Sequence, residues 1–273
     1  MKKSWLCGLF LGAMAVSRLP AQAQCLNLAR SVLFEKLTWT EIAQDISCGF
    51  TTIIVPVGGT EQSGPYIAVG KHNSRVLYQA EKIAHQSGKT LVAPVVAYVP
   101  EGGTAPRTSH MRFPGTITVP PDVFAKMLSS IAESFRVQGF RLVVLIGDHG
   151  GYQKELEKLA AQLTVKWQAT GARVLYVRDY YDVLPHQYSE WLRQNAHTGD
   201  LGLHAELSDT ALMLAVDPAF VPPPPLHPWP HPSAAPGLSC LYPRGATSVP
   251  ASPVPALLFV SPTSALYATR APP

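Results

Sequence analysis

Short runs of β-branched apolar residues alternate along this chain with segments of helical periodicity, and this alternation constrains the fold more than any other feature. The clearest runs are TTIIVPV at residues 51–57 and RLVVLI at residues 141–146. Runs without polar alternation are typical of strands that are buried on both faces. We therefore predict an α/β fold, in which a mainly parallel β-sheet has helices on both faces.

The same patterns predict the order of the elements. Strands are expected at 51–57, 91–99, 141–146 and 173–177, and helices at 39–47, 74–86, 121–138, 153–169, 184–196 and 209–216. A long loop is expected from 100 to 119, and connections of this length usually have a function. In parallel sheets of this kind, binding sites lie at the carboxyl ends of the strands.

The first 23 residues have the pattern of a signal peptide. Lys2 and Lys3 precede a short apolar segment at 5–16, and Ala21-Gln22-Ala23 offers a cleavage site before Gln24. The alternative is an uncleaved N-terminal anchor. We expect an exported protein, periplasmic or secreted, that no longer engages the membrane after processing.

The folded domain is expected at 24–221, followed by an irregular, Pro-rich C-terminal tail at 222–273. The tail holds 15 of the 26 prolines and has no Asp, Glu or Lys. Proline at this density excludes helices and central strands, so we expect disorder there. A shifted reading frame would also account for such a composition.

Charge and cysteine content exclude two classes of function. The formal net charge is +4, with 22 basic and 18 acidic residues, and no basic run is present, so nucleic acid is not an expected partner. Cys25, Cys48 and Cys240 remain after processing and are too widely spaced for a zinc–thiolate site. An oxidising compartment permits a Cys25–Cys48 disulfide; the alternative is that Cys48 is a buried free thiol.

Three polar clusters follow predicted strands or precede predicted helices. Glu61 lies in a glycine-rich loop that ends at His72, and His149 lies between glycines after the strand at 141–146. Carboxylates and imidazoles are ligands for zinc, iron or manganese. His204 and Asp209 form the third cluster. The structural alternative in each case is a helix cap or a surface charge.

Together the motifs resemble the creatininase family of amidohydrolases. The family's T-E-Q-H-G-P-H-L-P-x-G-x-D, H-x-x-F-P-G-T-I, N-G-H-G-G-N and H-A-G-x-x-E-T patterns correspond, in order, to TEQSGPYIAVGKH at 60–72, HMRFPGTI at 110–117, GDHGGY at 147–152 and HAELSDT at 204–210. The resemblance covers roughly residues 35–221 and also implies a homo-oligomer.

The resemblance implies metal ligands at Glu61, His72 and His149. Family members usually bind two metals, but the bridging aspartate is His72 here, and two further second-site positions are Ser63 and Gly151. The remaining two histidines and one glutamate suit one divalent ion, zinc, with iron or manganese as alternatives.

The resemblance also implies that His204 transfers protons and that Asp209 orients it. Tyr66 and His110 are expected to bind the substrate. Glu101, Asp148 and Glu206 are lesser candidates for proton transfer or for contacts behind the ligands.

The predicted activity is hydrolysis of a non-peptide or cyclic amide C–N bond in a small molecule by a metal-activated water. The alternatives are a non-catalytic exported protein that binds a metal or ligand, and a peptidase-like relative.

Overall fold

The computed structural model describes Cys25, residues 31–195 and residues 207–222. Contacts divide the chain into a unit of residues 1–30 and a unit of residues 31–273. The predicted signal peptide, the tail from residue 223 onward, His204 and Glu206 lie outside the described residues.

A four-stranded, fully parallel sheet forms the centre of this unit. Its strands are β1 (Thr52–Val57), β2 (Thr90–Val92), β3 (Leu142–Gly147) and β4 (Arg173–Tyr176), in the spatial order β2-β1-β3-β4. The central strands β1 and β3 pair in register over six residues, from Thr52 opposite Leu142 to Val57 opposite Gly147. Their carboxyl ends therefore finish side by side.

Seven α-helices accompany the strands in the described part of the chain: α1 (Trp39–Ser47), α2 (Lys71–Ser87), α3 (Pro121–Gln138), α4 (Gln153–Lys166), α5 (Arg178–Asp182), α6 (Ser189–Asn195) and α7 (Leu207–Val216). Shorter 3-10 turns lie at Phe34–Lys36, Ser109–Arg112, Gly150–Tyr152, Gln168–Thr170 and Pro218–Phe220, and a π-helix spans Val183–Tyr188.

Local sequence signals explain where several helices begin and end. Thr38 and Glu41 form a reciprocal capping box that starts α1. Pro121 occupies the first turn of α3, where its missing N–H costs nothing. That helix ends at Gly139, whose φ of +112° lies in a region that side chains disfavour.

The sheet is covered on both faces, as the sequence predicts. On one face, Ile53 and Val55 of β1 pack with Phe124 and Leu128 of α3 and with Leu156 of α4. On the other face, the intervening β1 residue Ile54 joins a second buried cluster with residues of α2. This two-sided burial explains why the β1 run lacks polar alternation.

The expected strand at 91–99 is shorter in the structure, where β2 ends at Val92. The chain nevertheless stays beside β1, because the Ala93 and Val96 amides donate to carbonyls of that strand. Pro94 has no amide hydrogen, which prevents a continuous ladder. The apolar run thus reflects burial of an extended segment that is only partly hydrogen-bonded.

Two helical boundaries also differ from expectation. Helix α2 begins at Lys71, three residues before the predicted start, so His72 lies within its first turn. Helical structure near the predicted 184–196 segment begins at Arg178 and includes the π-helix. No helix among the described residues is long and apolar enough to cross a membrane.

Cys25 and Cys48 are both disulfide-bonded. Cys48, which directly follows α1, is therefore not the buried free thiol that the sequence left open as an alternative.

Candidate metal centre

Four metal-binding side chains meet beyond the carboxyl ends of the central strands. Glu61 comes from the loop after β1, Glu101 and His110 come from the long loop after β2, and His149 follows β3. One ligand atom from each lies within 4.8 Å of the corresponding atoms of the other three. This is the edge of the sheet at which the order of the strands predicts a site.

The carboxylate of Glu61 is at the centre of this cluster. Its Oε2 lies 3.1 Å from His110 Nδ1 and 3.2 Å from His149 Nε2. Its Oε1 accepts a hydrogen bond of 2.8 Å from His72 Nε2. Burial alone would raise the pKa of Glu61, but hydrogen bonds to His149 and His72 outweigh it and hold that pKa well below its usual range.

Glu101 is the second carboxylate of the cluster, and it is almost completely buried. Neither of its oxygens has a hydrogen-bond partner among the described residues, and Oε2 lies 3.6 Å from His149 Nε2. Burial, with the repulsion of nearby Glu61, raises the pKa of Glu101 to about 8. A buried carboxylate whose oxygens accept no hydrogen bond is costly unless a proton or a cation joins it.

The two cluster histidines experience opposite shifts. Burial lowers the pKa of His110. Burial also acts to lower the pKa of His149, but its hydrogen bond with Glu61 and the charges of Glu61 and Glu101 raise it overall. The rings of His110 and His149 lie 5.7 Å apart, centroid to centroid.

His149 also caps the 3-10 turn that follows it. Its Nδ1 accepts a 3.2 Å hydrogen bond from the Gly151 amide, so its Nε2 faces the carboxylates. The cap and a metal ligand would use different ring nitrogens, but a neutral imidazole has only one nitrogen that can accept at a time. Coordination through Nε2 requires the ring proton to move to Nδ1 at the expense of this long bond.

Tyr152 fixes the backbone beneath His149. Its buried hydroxyl shares its one hydrogen between the carbonyls of Val57 and Gly58, at 2.7 and 2.6 Å, and accepts from the His149 amide at 3.1 Å. The loops that leave β1 and β3 are thereby joined through one side chain. Sequence reasoning did not assign this role to Tyr152, because an aromatic residue at a helix start is ordinarily a core residue.

His72 lies beside the cluster, between two carboxylates. Nε2 bonds Glu61, and Nδ1 lies 2.9 Å from Asp148 Oδ1. Asp148 is in turn bound by the Arg75 guanidinium and by the Tyr180 hydroxyl. Burial would raise the pKa of Asp148, but Arg75 and His72 lower it to about 2.

A further ion pair continues this network to α7. Asp209 Oδ2 lies 2.5 Å from Lys71 Nζ, and Oδ1 lies 2.9 Å from Arg75 NH1. Lys71 Nζ also lies 3.8 Å from Glu61 Oε1. Although burial opposes it, these two cations hold the pKa of Asp209 well below its usual range. Lys71 and Arg75 were not predicted, because charged residues near a helix start are ordinarily solvated.

The predicted site residues are thus only partly brought together. Glu61, His149 and His110 meet at the cluster, with Glu101 as the fourth member, whereas His72 and Asp148 stand behind Glu61. Tyr66 is 43% exposed. The assignments of His72 as a ligand, of Tyr66 and His110 as substrate contacts and of Asp209 as the partner of His204 remain predictions.

An open cavity of about 790 Å³ reaches the cluster from one side. Glu101, His110 and His149 line it, and apart from these three its lining is uncharged. The uncharged residues are Pro100, Gly102, Gly103, Thr104, Ser109, Thr118, Val119, Pro120, Pro121 and Gly151. The cavity is large enough for a small organic molecule.

The chain is similar in sequence and in structure to known proteins of one family. The model of the creatininase family, described as creatinine amidohydrolase, matches residues 35–255. The chain is 27% identical over 195 residues to a 3-dehydro-scyllo-inosose hydrolase of Thermotoga maritima, and this alignment covers 70% of this chain and 58% of that protein. It is also 27% identical over 147 residues to a mycofactocin precursor peptide peptidase of Mycolicibacterium smegmatis, and this alignment covers 52% of this chain and 57% of that protein.

The match spans less than two thirds of the length of each of these two relatives. Among solved structures, a creatininase variant of Zn-Zn type superposes with a TM-score of 0.57 and 24% identity, covering 73% of this chain and 81% of that one. At this identity the likeness shows the fold. The family match covers most of the chain and extends past the domain boundary expected at residue 221, and we conclude that the chain belongs to the creatininase family.

Proposed function

We propose that this chain is a metal-dependent amidohydrolase that cleaves a C–N bond in a small, uncharged amide. The observation that carries the proposal is the convergence of two carboxylates and two imidazoles, three of which line an open cavity. Membership of the creatininase family agrees with it.

The donor set fits a divalent metal ion. Glutamate and histidine suit zinc, and they also accept iron or manganese. The buried oxygens of Glu101, which lack hydrogen-bond partners in the described part of the chain, would bind a cation in place of the proton that the raised pKa of this carboxyl retains. When bound, such an ion supplies Lewis acidity and makes water a better nucleophile at neutral pH.

We propose one ion per chain, and zinc as its identity. A creatininase relative is of Zn-Zn type, but here Ser63 and Gly151 stand at two positions that the family resemblance assigns to a second metal. A serine hydroxyl is a poor ligand, and glycine has no side chain. The arginine and lysine network described above already balances Asp148 and Asp209 on that side.

The protein's own residues then bind the substrate and move protons. The uncharged cavity lining favours a neutral molecule, with Ser109 and Thr118 among its hydroxyl groups. Proton delivery to the departing nitrogen is assigned to His204, as the family resemblance implies. Asp209 accepts hydrogen bonds from Lys71 and Arg75, which fix its carboxylate in place. If Asp209 orients His204, as the family resemblance implies, it does so from this fixed position.

A peptidase is the second candidate function, because the similar protein from Mycolicibacterium smegmatis is a mycofactocin precursor peptide peptidase. The two candidates differ in the substrate that must enter the cavity. Hydrolysis of small cyclic and open-chain amides favours the first, and release of a terminal residue from peptides favours the second.

The test is metal analysis of the purified, processed chain followed by a hydrolysis screen against both classes of amide. We expect about one equivalent of zinc and amine release that ceases after chelation and returns with added metal. Glu61→Gln should abolish both binding and turnover. A wild-type protein that binds metal but cleaves no amide would support the non-catalytic alternative and refute the proposal.

We further propose that the protein is exported to the periplasm or secreted. The Lys2-Lys3 pair, the apolar segment at 5–16 and the small residues around 21–23 support this. N-terminal sequencing of the exported material should begin at Gln24. Recovery of the intact N-terminus in a cytosolic fraction would refute it.

A further inference from the structure

The family resemblance places a metal ligand at position 72, but the structure offers a different histidine. His110, from the long loop after β2, points Nδ1 at Glu61 Oε2 from 3.1 Å. His72 contacts the opposite oxygen, Oε1, from the side of the network that contains Asp148 and Arg75. The two histidines therefore flank the same carboxylate but stand on different sides of it.

Spacing favours the side on which His110 lies. Ligand atoms about 2.0–2.2 Å from a tetrahedral metal ion are about 3.4 Å from each other. The Glu61 oxygen lies 3.1 and 3.2 Å from the nitrogens of His110 and His149, and His149 lies 3.6 Å from Glu101. These three separations are close to that value, and all four ligand atoms lie within 4.8 Å of one another.

His72 is instead held as a link between two carboxylates. Both ring nitrogens are within 2.9 Å of a carboxylate oxygen, one from Glu61 and one from Asp148. Asp148 is fixed by a guanidinium and a tyrosine hydroxyl. Such carboxylate–histidine contacts are typical of groups that orient a ligand from behind.

We propose that the ion is bound by Glu61, Glu101, His110 and His149, and that His72 is a positioning residue that orients Glu61. This inference rests on the proposed metal dependence. Glu101 and His110 come from the loop after β2, so that loop supplies half of the ligands. In this assignment Glu101 and His110 take the place of His72 in the ligand set that the family resemblance implies.

The reassignment makes a prediction that is independent of activity. Pulsed EPR of the Cu²⁺-loaded chain counts the imidazoles that coordinate the ion. We expect two in the wild type, one in His110→Asn and still two in His72→Asn. His85→Asn removes an exposed histidine from α2, the helix that also carries His72, and should leave the count unchanged.

A second measurement addresses Glu101. Competition with a chelator should show that Glu101→Gln weakens Zn²⁺ binding at least tenfold, whereas equal affinity would remove Glu101 from the ligand set. Circular dichroism checks that each variant is folded. The His110 result alone is decisive if His72→Asn does not fold, because retention of two imidazoles in His110→Asn overturns the proposal.

The outcomes separate this inference from the proposed function. Loss of an imidazole in His72→Asn, with two retained in His110→Asn, would overturn the reassignment while leaving a metal-dependent enzyme. A wild-type chain that binds neither Cu²⁺ nor Zn²⁺ would overturn the metal dependence itself.

Discussion

Replacing Tyr152 with phenylalanine should weaken the fold, because its hydroxyl joins the loops after the two central strands. The change deletes the bonds donated to Val57 and Gly58 and leaves the His149 amide without its acceptor. Val57 keeps a bond from the Asp148 amide, so its carbonyl loses least. At roughly 1–2 kcal/mol for each of the two remaining groups, the Gly58 carbonyl and the His149 amide, we expect the free energy of unfolding to fall by about 2–4 kcal/mol.

Thermal unfolding followed by circular dichroism is the assay. A loss of this size corresponds to a decrease in Tm of roughly 5–15 °C for a domain of this length. The matched control is Tyr176→Phe, whose hydroxyl donates 2.6 Å to the Gln153 side chain in a half-buried position. The control should lose no more than about 1 kcal/mol. Equal losses in the two variants, or a loss below about 0.5 kcal/mol in Tyr152→Phe, would refute the reasoning.

Three further changes test the surrounding structure. Asp209→Asn leaves two buried cations undercompensated, so urea unfolding should show a loss of about 3–5 kcal/mol; an unchanged midpoint would contradict this. The pKa of Asp148 is lowered to about 2, below the unfolded value near 3.9, so the ionised carboxylate stabilises the fold fully above about pH 3.9. This stabilisation is lost as the pH falls toward 2, and urea midpoints measured from pH 6 to 2.5 should decrease accordingly. Gly102→Ala, at φ +128°, would place a Cβ 2.3 Å from the Thr108 carbonyl oxygen and should destabilise the chain more than Gly88→Ala, which meets nothing within 4 Å. Similar Tm values for these two glycine variants would show that the contact is relieved easily.

The sequence predicts the sheet and its covering helices because both depend on local patterns. The fully apolar run of β1 requires burial on both faces, and the structure provides it. The helix predicted from Pro121 to Gln138 has those bounds, since proline and glycine define its ends. The strand predicted at 91–99 is too long because an apolar pattern records burial and not the completeness of the hydrogen-bond ladder.

The candidate centre was predictable only in part. Glu61 and His149 lie within a few residues of the ends of the central strands, so the topology brings them to the same edge of the sheet. The approach of Glu101 and His110 depends on how the long loop folds back, and residue order does not encode that path. The burial of Lys71 and Arg75 was equally inaccessible, because it becomes favourable only when Asp148 and Asp209 arrive from distant parts of the chain.

The in-register pairing of β1 with β3 has a consequence for the order in which this protein assembles. A helix, an edge strand, a long loop and a second helix separate these neighbours in the chain. Contacts between such distant segments are slow to form, because the loop must close before they can stabilise the chain. Metal offered to the unfolded polypeptide would meet isolated side chains instead of a chelating group. The centre is therefore a product of folding that can be filled last, and it is not a nucleus around which the chain condenses.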